Sequence, residues 1–217
     1  MKLAIFDLDN TLLAGDSDHA WGEFLVAKGI VSNADHRRAN DHFYQQYVAG
    51  TLDIHEYVAF VTKPLQQLAE QERNDLRAEF VQEVVQPMIA AGAPALLQQH
   101  RLQGHDLLII TATNRFVTAP IADLLDVPNL LATDLEMRDG EFTGRIAGTP
   151  AFQAGKISRL HAWLAERDKA YTEHYFYSDS HNDLPLLKEV AHPVAVDPDD
   201  ALLATAEELG WPVISLR

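Results

Sequence analysis

The sequence predicts an α/β protein, a parallel sheet covered by helices on both faces and carrying an inserted all-helical segment. Three observations carry this. Short apolar runs stop abruptly at polar residues: Leu3–Phe6 before Asp7, Leu107–Ile110 before Thr111, Tyr175–Tyr177 before Ser178 and Asp179, and Val194–Val196 before Asp197. Helical patterns alternate with these runs. The stretch from about Asp16 to Val85 is helix-like throughout, with no convincing strand.

Taken in order, Leu3–Phe6 is a run of the length and apolarity of a short buried strand. Four helix-like stretches follow, Ala20–Lys28, Ala34–Tyr47, Asp53–Val61 and Glu70–Val85, punctuated by Gly15, Gly29, Gly50 and Pro64. This divides the chain into a core of residues 1–14 and 88–217 and a helical cap of residues 15–87. Beyond the cap come a helix at Ala93–Leu102, the strand at Leu107–Ile110 and a helix at Phe116–Leu125. Leu135–Arg145 (LEMRDGEFTGR) alternates around Asp139-Gly140, a hairpin signal. A helix at Ala154–Arg167, the strand at Tyr175–Tyr177, a helix at Asp183–Val190 and the strand at Val194–Val196 follow. The last helix, Asp199–Leu209, ends at Gly210, a residue suited to a C-cap. Right-handed crossovers bring the strand ends to one edge, where open α/β sheets bind ligands.

Composition narrows the function. The formal charge is −15 over 217 residues, which argues against a nucleic-acid binder, because such a protein needs a basic face for phosphates. The absence of cysteine excludes disulfides, thiolate metal sites and a thiol nucleophile. No apolar run approaches the ~20 residues of a membrane span, and the four apolar residues before Asp7 are too few for a signal peptide. A soluble, cytoplasmic protein is expected. The histidines show no H-E-x-x-H pair and read as surface or packing residues.

The chemistry lies at the strand ends. In IFDLDNT, extended backbone places Asp7, Asp9 and Thr11 in one patch, since residues i and i+2 face the same side. Such a patch is costly unless something cationic or catalytic sits there. The other strand ends offer Thr111, Ala112 and Thr113, then Asp179 with Asp183, while Lys156 opens a helix in QAGKISRL. Carboxylates with water suit Mg²⁺ beside a substrate phosphate. Backbone amides at a strand-to-helix turn hold an anion, and lysine adds a point charge. Both signs of charge around one small pocket point to phosphoryl transfer. With no cysteine and no Gly-x-Ser-x-Gly elbow, the nucleophile candidates at the strand ends narrow to a carboxylate. Asp7, at the strand end, can attack phosphorus in line. Asp9 can protonate the leaving alkoxide and then activate water.

On these residues the chain resembles the haloacid dehalogenase-like phosphatase superfamily. Its four motifs stand here in order as IFDLDNTLL, LLIITATN, Lys156 and FYSDSHNDLPLL, and they reach both ends of the chain. The resemblance implies a Rossmann-like core, a C1-type helical cap, Mg²⁺ and an aspartyl-phosphate intermediate. It makes Asp7 nucleophile and metal ligand, and Asp9 acid/base and a ligand through its backbone carbonyl. Asp179 is then the third ligand, with Asp183 acting behind it or through water. Thr111 binds a phosphoryl oxygen and Lys156 orients nucleophile and phosphate. Ser178 departs from the pattern, which has glycine there. Thr11, Asp16, Ala112, Thr113 and Asn182 are expected around the substrate, although Thr113 and Asn114 serve equally well as caps of the following helix.

Rival readings fare worse. A calcium loop fails at its sixth and twelfth positions, which are Leu12 and Asp18 rather than Gly and Glu. A dehalogenase has no need of Asp9; a phosphomutase uses the same acid/base and stays open. A cap between the first two motifs resembles subfamily IB, the group with phosphoserine phosphatase, and FDLDNTLLAGDSD resembles cap-bearing relatives, some assigned to histidinol phosphate. Asp16 and Asp18 are placed to meet a substrate ammonium. Arg37, Arg38 and Arg115 read as solvated surface charge, and Trp21, Phe43, Tyr44 and Tyr47 as cap core. An acidic mouth without an arginine fork points to a small amine-bearing phosphate monoester such as histidinol phosphate, with phosphoserine the alternative. Neither nucleic acid nor membrane is an expected partner, and the oligomeric state is left open.

Overall fold

The computed structural model describes residues 1–217, the side chain of residue 33 apart. A six-stranded, all-parallel sheet has the order β3-β2-β1-β6-β7-β8. Its strands are β1 (Lys2–Phe6), β2 (Asp106–Asn114), β3 (Asn129–Thr133), β6 (Glu173–Ser178), β7 (His192–Val196) and β8 (Val213–Ile214). Strand alternation divides the interior in two. Ala4, Phe6, Leu107 and Ile109 face one apolar core, and Leu3, Ile5, Leu108 and Ile110 the other. The α/β class therefore stands.

Before β2 come α1 (Ser17–Ala27), α2 (Asn33–Val48), α3 (Ile54–Thr62), α4 (Glu70–Phe80), α5 (Gln86–Met88) and α6 (Ala93–Leu102). Between β2 and β3 lies α7 (Arg115–Leu124). The predicted hairpin is β4 (Leu135–Arg138) with β5 (Glu141–Ile146). Asp139 and Gly140 both have positive φ, the backbone a two-residue hairpin turn requires. The helices α8 (Ala154–Ala165), α9 (Leu184–Leu187) and α10 (Asp200–Leu209) complete the fold, and Gly210 closes α10 in the left-handed region.

Some expectations need adjusting. β3 and β8 are not among the predicted strands; β8 spans only two residues and neither run carries a long apolar signal. The helix expected at Glu70–Val85 stops at Phe80 and continues as a wider turn, with Gln86 N bonded to Val81 O. Pro87, which has no N–H to give, follows at once. The helix expected at Asp183–Val190 is a 3₁₀ turn, His181–Asp183, and the single turn α9.

The inserted helices pack in two ways. Trp21 and Phe24 of α1 and Phe80 of α4 join the same core as Phe6, with Trp21 edge-on to Phe80 at 5.1 Å. Tyr57 and Val61 of α3 instead form a small separate cluster with Phe43 of α2. The hairpin is fastened to the insertion by the buried Arg73, which donates to Glu141 at 2.6 Å and to Gly140 O at 2.9 Å. No helix of the described residues is long and apolar enough to cross a membrane.

Beneath the strand ends, His100 of α6 is 2% exposed. Its Nε2 lies 2.8 Å from the Tyr177 hydroxyl and its Nδ1 2.8 Å from His105. Burial, helped by His105, holds its pKa down to about 4. The unfolded chain therefore takes up this proton first as pH falls below ~6.5. Neutral His100 thus contributes stability that is present above that pH and lost on acidification, about 2 kcal/mol by pH 5. Denaturant unfolding at pH 7.5 and pH 5 should show that drop relative to His100→Gln, which removes the titration. The comparison with the variant is needed because buried carboxylates titrate in the opposite sense.

Candidate active site

Strand register sets the site. Phe6 lies beside Tyr177 on β6 and Ile109 on β2, so Asp7, Thr111 and Asp179 fall together at the C-terminal edge of the sheet. Asp7 N still bonds Tyr177 O at 2.9 Å, but the chain then leaves the strand. Asn10 adopts positive φ, and Leu13 N bonds Leu8 O at 3.0 Å. The extended patch expected of Asp7, Asp9 and Thr11 is thus replaced by a tight turn that fans the three side chains outward.

Each finds a different partner. Asp7 Oδ1 accepts from Lys156 Nζ at 2.8 Å, and the same ammonium donates to Asp183 Oδ2 at 2.7 Å. Ser178 donates to that Asp183 oxygen at 2.7 Å, so the residue that replaces the family's glycine has a use here. Asp9 accepts from Ser17 N at 2.6 Å and from the Thr113 hydroxyl at 2.8 Å. Thr11 donates to Asp179 Oδ1 at 2.9 Å.

Charge is unbalanced in this cluster. Burial lifts the Asp7 carboxyl to about 7 despite the nearby Lys156. Burial and then Asp16 lift Asp9 to about 6 against the hydrogen bonds from Ser17 and Thr113. Burial and the Asp7 charge push Asp179 well above the carboxylate range. Burial works against the Lys156 ammonium, but Asp183 and Asp7 overcome it and raise its pKa. One buried cation for so many carboxylates leaves room for another positive charge. Among the described residues no three His, Asp or Glu side chains gather into a metal cage. Asp9 has turned its carboxylate away, which leaves Asp7 and Asp179. Such a donor set fits Mg²⁺, which takes one or two carboxylates and keeps water and phosphate oxygens.

Above Asp7 opens a cleft. Asp7, Asp9, Asp16, Asp18, Thr111, Ala112 and Thr113 form its polar side; Phe43, Tyr44, Tyr47, Leu52, Ile54 and Tyr57 form its wall. No lysine or arginine lines it. Arg37, Arg38 and Arg115 pair elsewhere, with Glu23, Asp35 and Asp134, in keeping with surface charge.

Several expected positions change. Thr11 serves Asp179 and is absent from the cleft, because the turn after Asp9 carries it to the other side. Thr113 lines the cleft but gives its hydroxyl to Asp9, while Asn114 caps α7 through Val117 N. Asn182 does not face the cleft: its amide donates to Tyr47 O at 3.0 Å and accepts from Gln153 at 3.2 Å, tying α2 to the core. Asp16 lines the cleft and also caps α1 through His19 N. Trp21 is core as expected, whereas Phe43, Tyr44 and Tyr47 are cleft wall. The lining residues Leu52, Ile54, Tyr57 and Asn40 are missing from the sequence reading, since they carry no motif.

A family model of haloacid dehalogenase-like hydrolases matches residues 4–188. A histidinol-phosphatase of Neisseria meningitidis is 44% identical over 220 aligned residues, covering 100% of this chain and 99% of that one. A solved structure from Bordetella pertussis, of unknown function, superposes with a TM-score of 0.93 at 42% identity, covering 100% and 99% of the two chains. A substrate-bound phosphoserine phosphatase superposes with a TM-score of 0.71 at 14% identity over 100% and 93%, a likeness of fold.

Proposed function

This chain belongs to the haloacid dehalogenase-like hydrolase family, and on that premise we propose that it hydrolyses a small amine-bearing phosphate monoester, histidinol phosphate first among them. It is a phosphatase; the substrate rests on one observation above all. The cleft over Asp7 carries four carboxylates and an aromatic wall but no lysine or arginine. A phosphate ester with a carboxylate of its own, such as phosphoserine, finds no cation there to receive it. One with an ammonium group and no carboxylate finds Asp16 and leaves no anion unanswered.

The residues divide the work as follows. An Asp7 oxygen attacks phosphorus, and the bond from phosphorus to the ester oxygen breaks. Asp9, whose raised pKa keeps a proton available near neutrality, gives it to the leaving oxygen. Asp9 then takes a proton from water as the water oxygen attacks phosphorus, and the Asp7–phosphorus bond breaks to release phosphate. Thr113 and Ser17 hold Asp9 in place throughout. Thr111 offers its hydroxyl to a phosphoryl oxygen, and Lys156 favours the ionised form of Asp7 against burial and aims it. Asp7, Asp179 and the Asp9 carbonyl would hold Mg²⁺, which when bound offsets the charge between carboxylate and phosphate. The helices over the cleft act as a cap that selects the ester.

Turnover of histidinol phosphate, phosphoserine and sugar phosphates with Mg²⁺ tests the substrate: histidinol phosphate should have the highest kcat/KM, and a clear preference for phosphoserine would sink the reading. Excess EDTA should remove activity with each ester and added Mg²⁺ restore it. Full activity in EDTA contradicts the metal assignment.

A further inference from the structure

Besides Asp16, one carboxylate in the cleft takes no part in the phosphoryl chemistry. Asp18 lies in the first turn of α1, lines the cleft and is only 8% exposed. Acids are common in a first turn because the helix N-terminus favours negative charge, but most of them sit in water. Asp18 is enclosed. Asn114 Nδ2 reaches its Oδ1 at 3.4 Å, and the Tyr57 hydroxyl of α3 donates to the carboxylate from across the cleft. Burial, then the charges of Asp16 and Asp9, push its carboxyl well above the usual range. The cleft supplies no lysine or arginine to answer it, and its one histidine, His19, turns Nε2 to Asp41 at 2.9 Å. Burial therefore favours the neutral acid, and the ionised form needs a positive or N–H-donating partner, of which a ligand is the available source.

Asp16, two residues earlier, already commits Oδ1 to the cap of α1. The same mouth therefore holds two carboxylates in different settings, one tied to the backbone and one set against an aromatic wall. Phe43, Tyr44 and Tyr57 present flat rings on that wall, a surface that suits a planar group and, when it is protonated, a cation.

Resting on the reading that the cleft takes an amine-bearing phosphate ester, we propose that Asp18 is a specificity-determining residue. Its carboxylate accepts an N–H from a second nitrogen group of the substrate, a planar azole at the end away from the phosphate, seated against Tyr57. An ester with an amine but no azole leaves Asp18 unanswered and binds more weakly.

The test compares the unaltered protein with Asp18→Asn and Tyr57→Phe on histidinol phosphate and on p-nitrophenyl phosphate, which has no N–H donor. In Asp18→Asn the ratio of the two kcat/KM values should fall about 10- to 100-fold, the worth of one charged hydrogen bond, with the change carried by KM. Tyr57→Phe should lower the same ratio by a few-fold. A ratio unchanged in Asp18→Asn overturns the proposal, since an acid that merely supports α1 lowers both substrates together. A second arm uses no natural substrate: histidinol, histamine and ethanolamine are tried as inhibitors of p-nitrophenyl phosphate hydrolysis. The two imidazole amines should inhibit at lower concentration than ethanolamine, and Asp18→Asn should lose that difference. Equal inhibition by all three overturns the role of Asp18. Should histidinol phosphate not be hydrolysed while the imidazole preference holds, the substrate reading fails and the role of Asp18 stands.

Discussion

Replacing Asp7 by Asn is expected to abolish phosphate release, a loss on the order of 10⁴-fold or more, with the fold intact. The carboxamide keeps the shape of the side chain and its place at the end of β1, but it has no anionic oxygen to attack phosphorus. Stability should hold or rise. Asp7 is 3% exposed and stands among Asp9, Asp179 and Asp183, so removing its charge relieves repulsion, while Lys156 retains Asp183 at 2.7 Å. Circular dichroism and thermal unfolding check the fold, and phosphate release checks the chemistry. A variant that is inactive because it is unfolded gives no support to the assignment; one that is folded and active contradicts it.

Lys156→Met should have the second large effect, and it should show in stability as well as rate. The Lys156 ammonium is buried between two carboxylates, at 2.8 Å from Asp7 and 2.7 Å from Asp183. Methionine roughly keeps the volume and removes the charge, leaving two buried anions facing each other. Breaking such a group from one side costs roughly 3–5 kcal/mol. The deficit should shrink as pH falls, because protonation of Asp7, whose carboxyl burial already raises to about 7, removes the repulsion. Denaturant titrations of both proteins at pH 7.5 and pH 5.5 read this directly. Phosphate release should also fall by at least about 10²-fold, since no cation then favours ionised Asp7 or aims it. Unfolding midpoints equal to those of the unaltered protein would mean that the lysine contributes nothing to the cluster.

The sequence was informative where the backbone is regular. Four apolar runs ending in polar residues give the parallel sheet, and a parallel sheet brings its C-terminal ends together, so Asp7, Thr111 and Asp179 meet. Lys156 joins them from the first turn of α8. Beyond the strand ends, sequence spacing loses its power. The alternation that put Asp7, Asp9 and Thr11 on one side fails because Asn10 takes positive φ and the turn aims each side chain at a different neighbour. Asn182 sits in a motif but spends its amide on Tyr47 and Gln153, a contact between distant segments that local pattern does not encode. Phe43, Tyr44 and Tyr47 illustrate the other limit. An aromatic stripe has the same spacing whether it faces a core or a cleft, and only the packing of α2 over Asp7 decides between them.

The aspartyl-phosphate intermediate on Asp7 is the claim on which the rest depends, and acid quenching tests it directly. The unaltered protein and Asp7→Asn are mixed with labelled substrate and Mg²⁺, quenched in acid within milliseconds, digested and analysed by mass spectrometry. A phosphoryl group should appear on the peptide containing Asp7 in the unaltered protein and be missing from the variant. Phosphate released at full rate with no labelled peptide at any quench time, or a label on another residue, would contradict the mechanism.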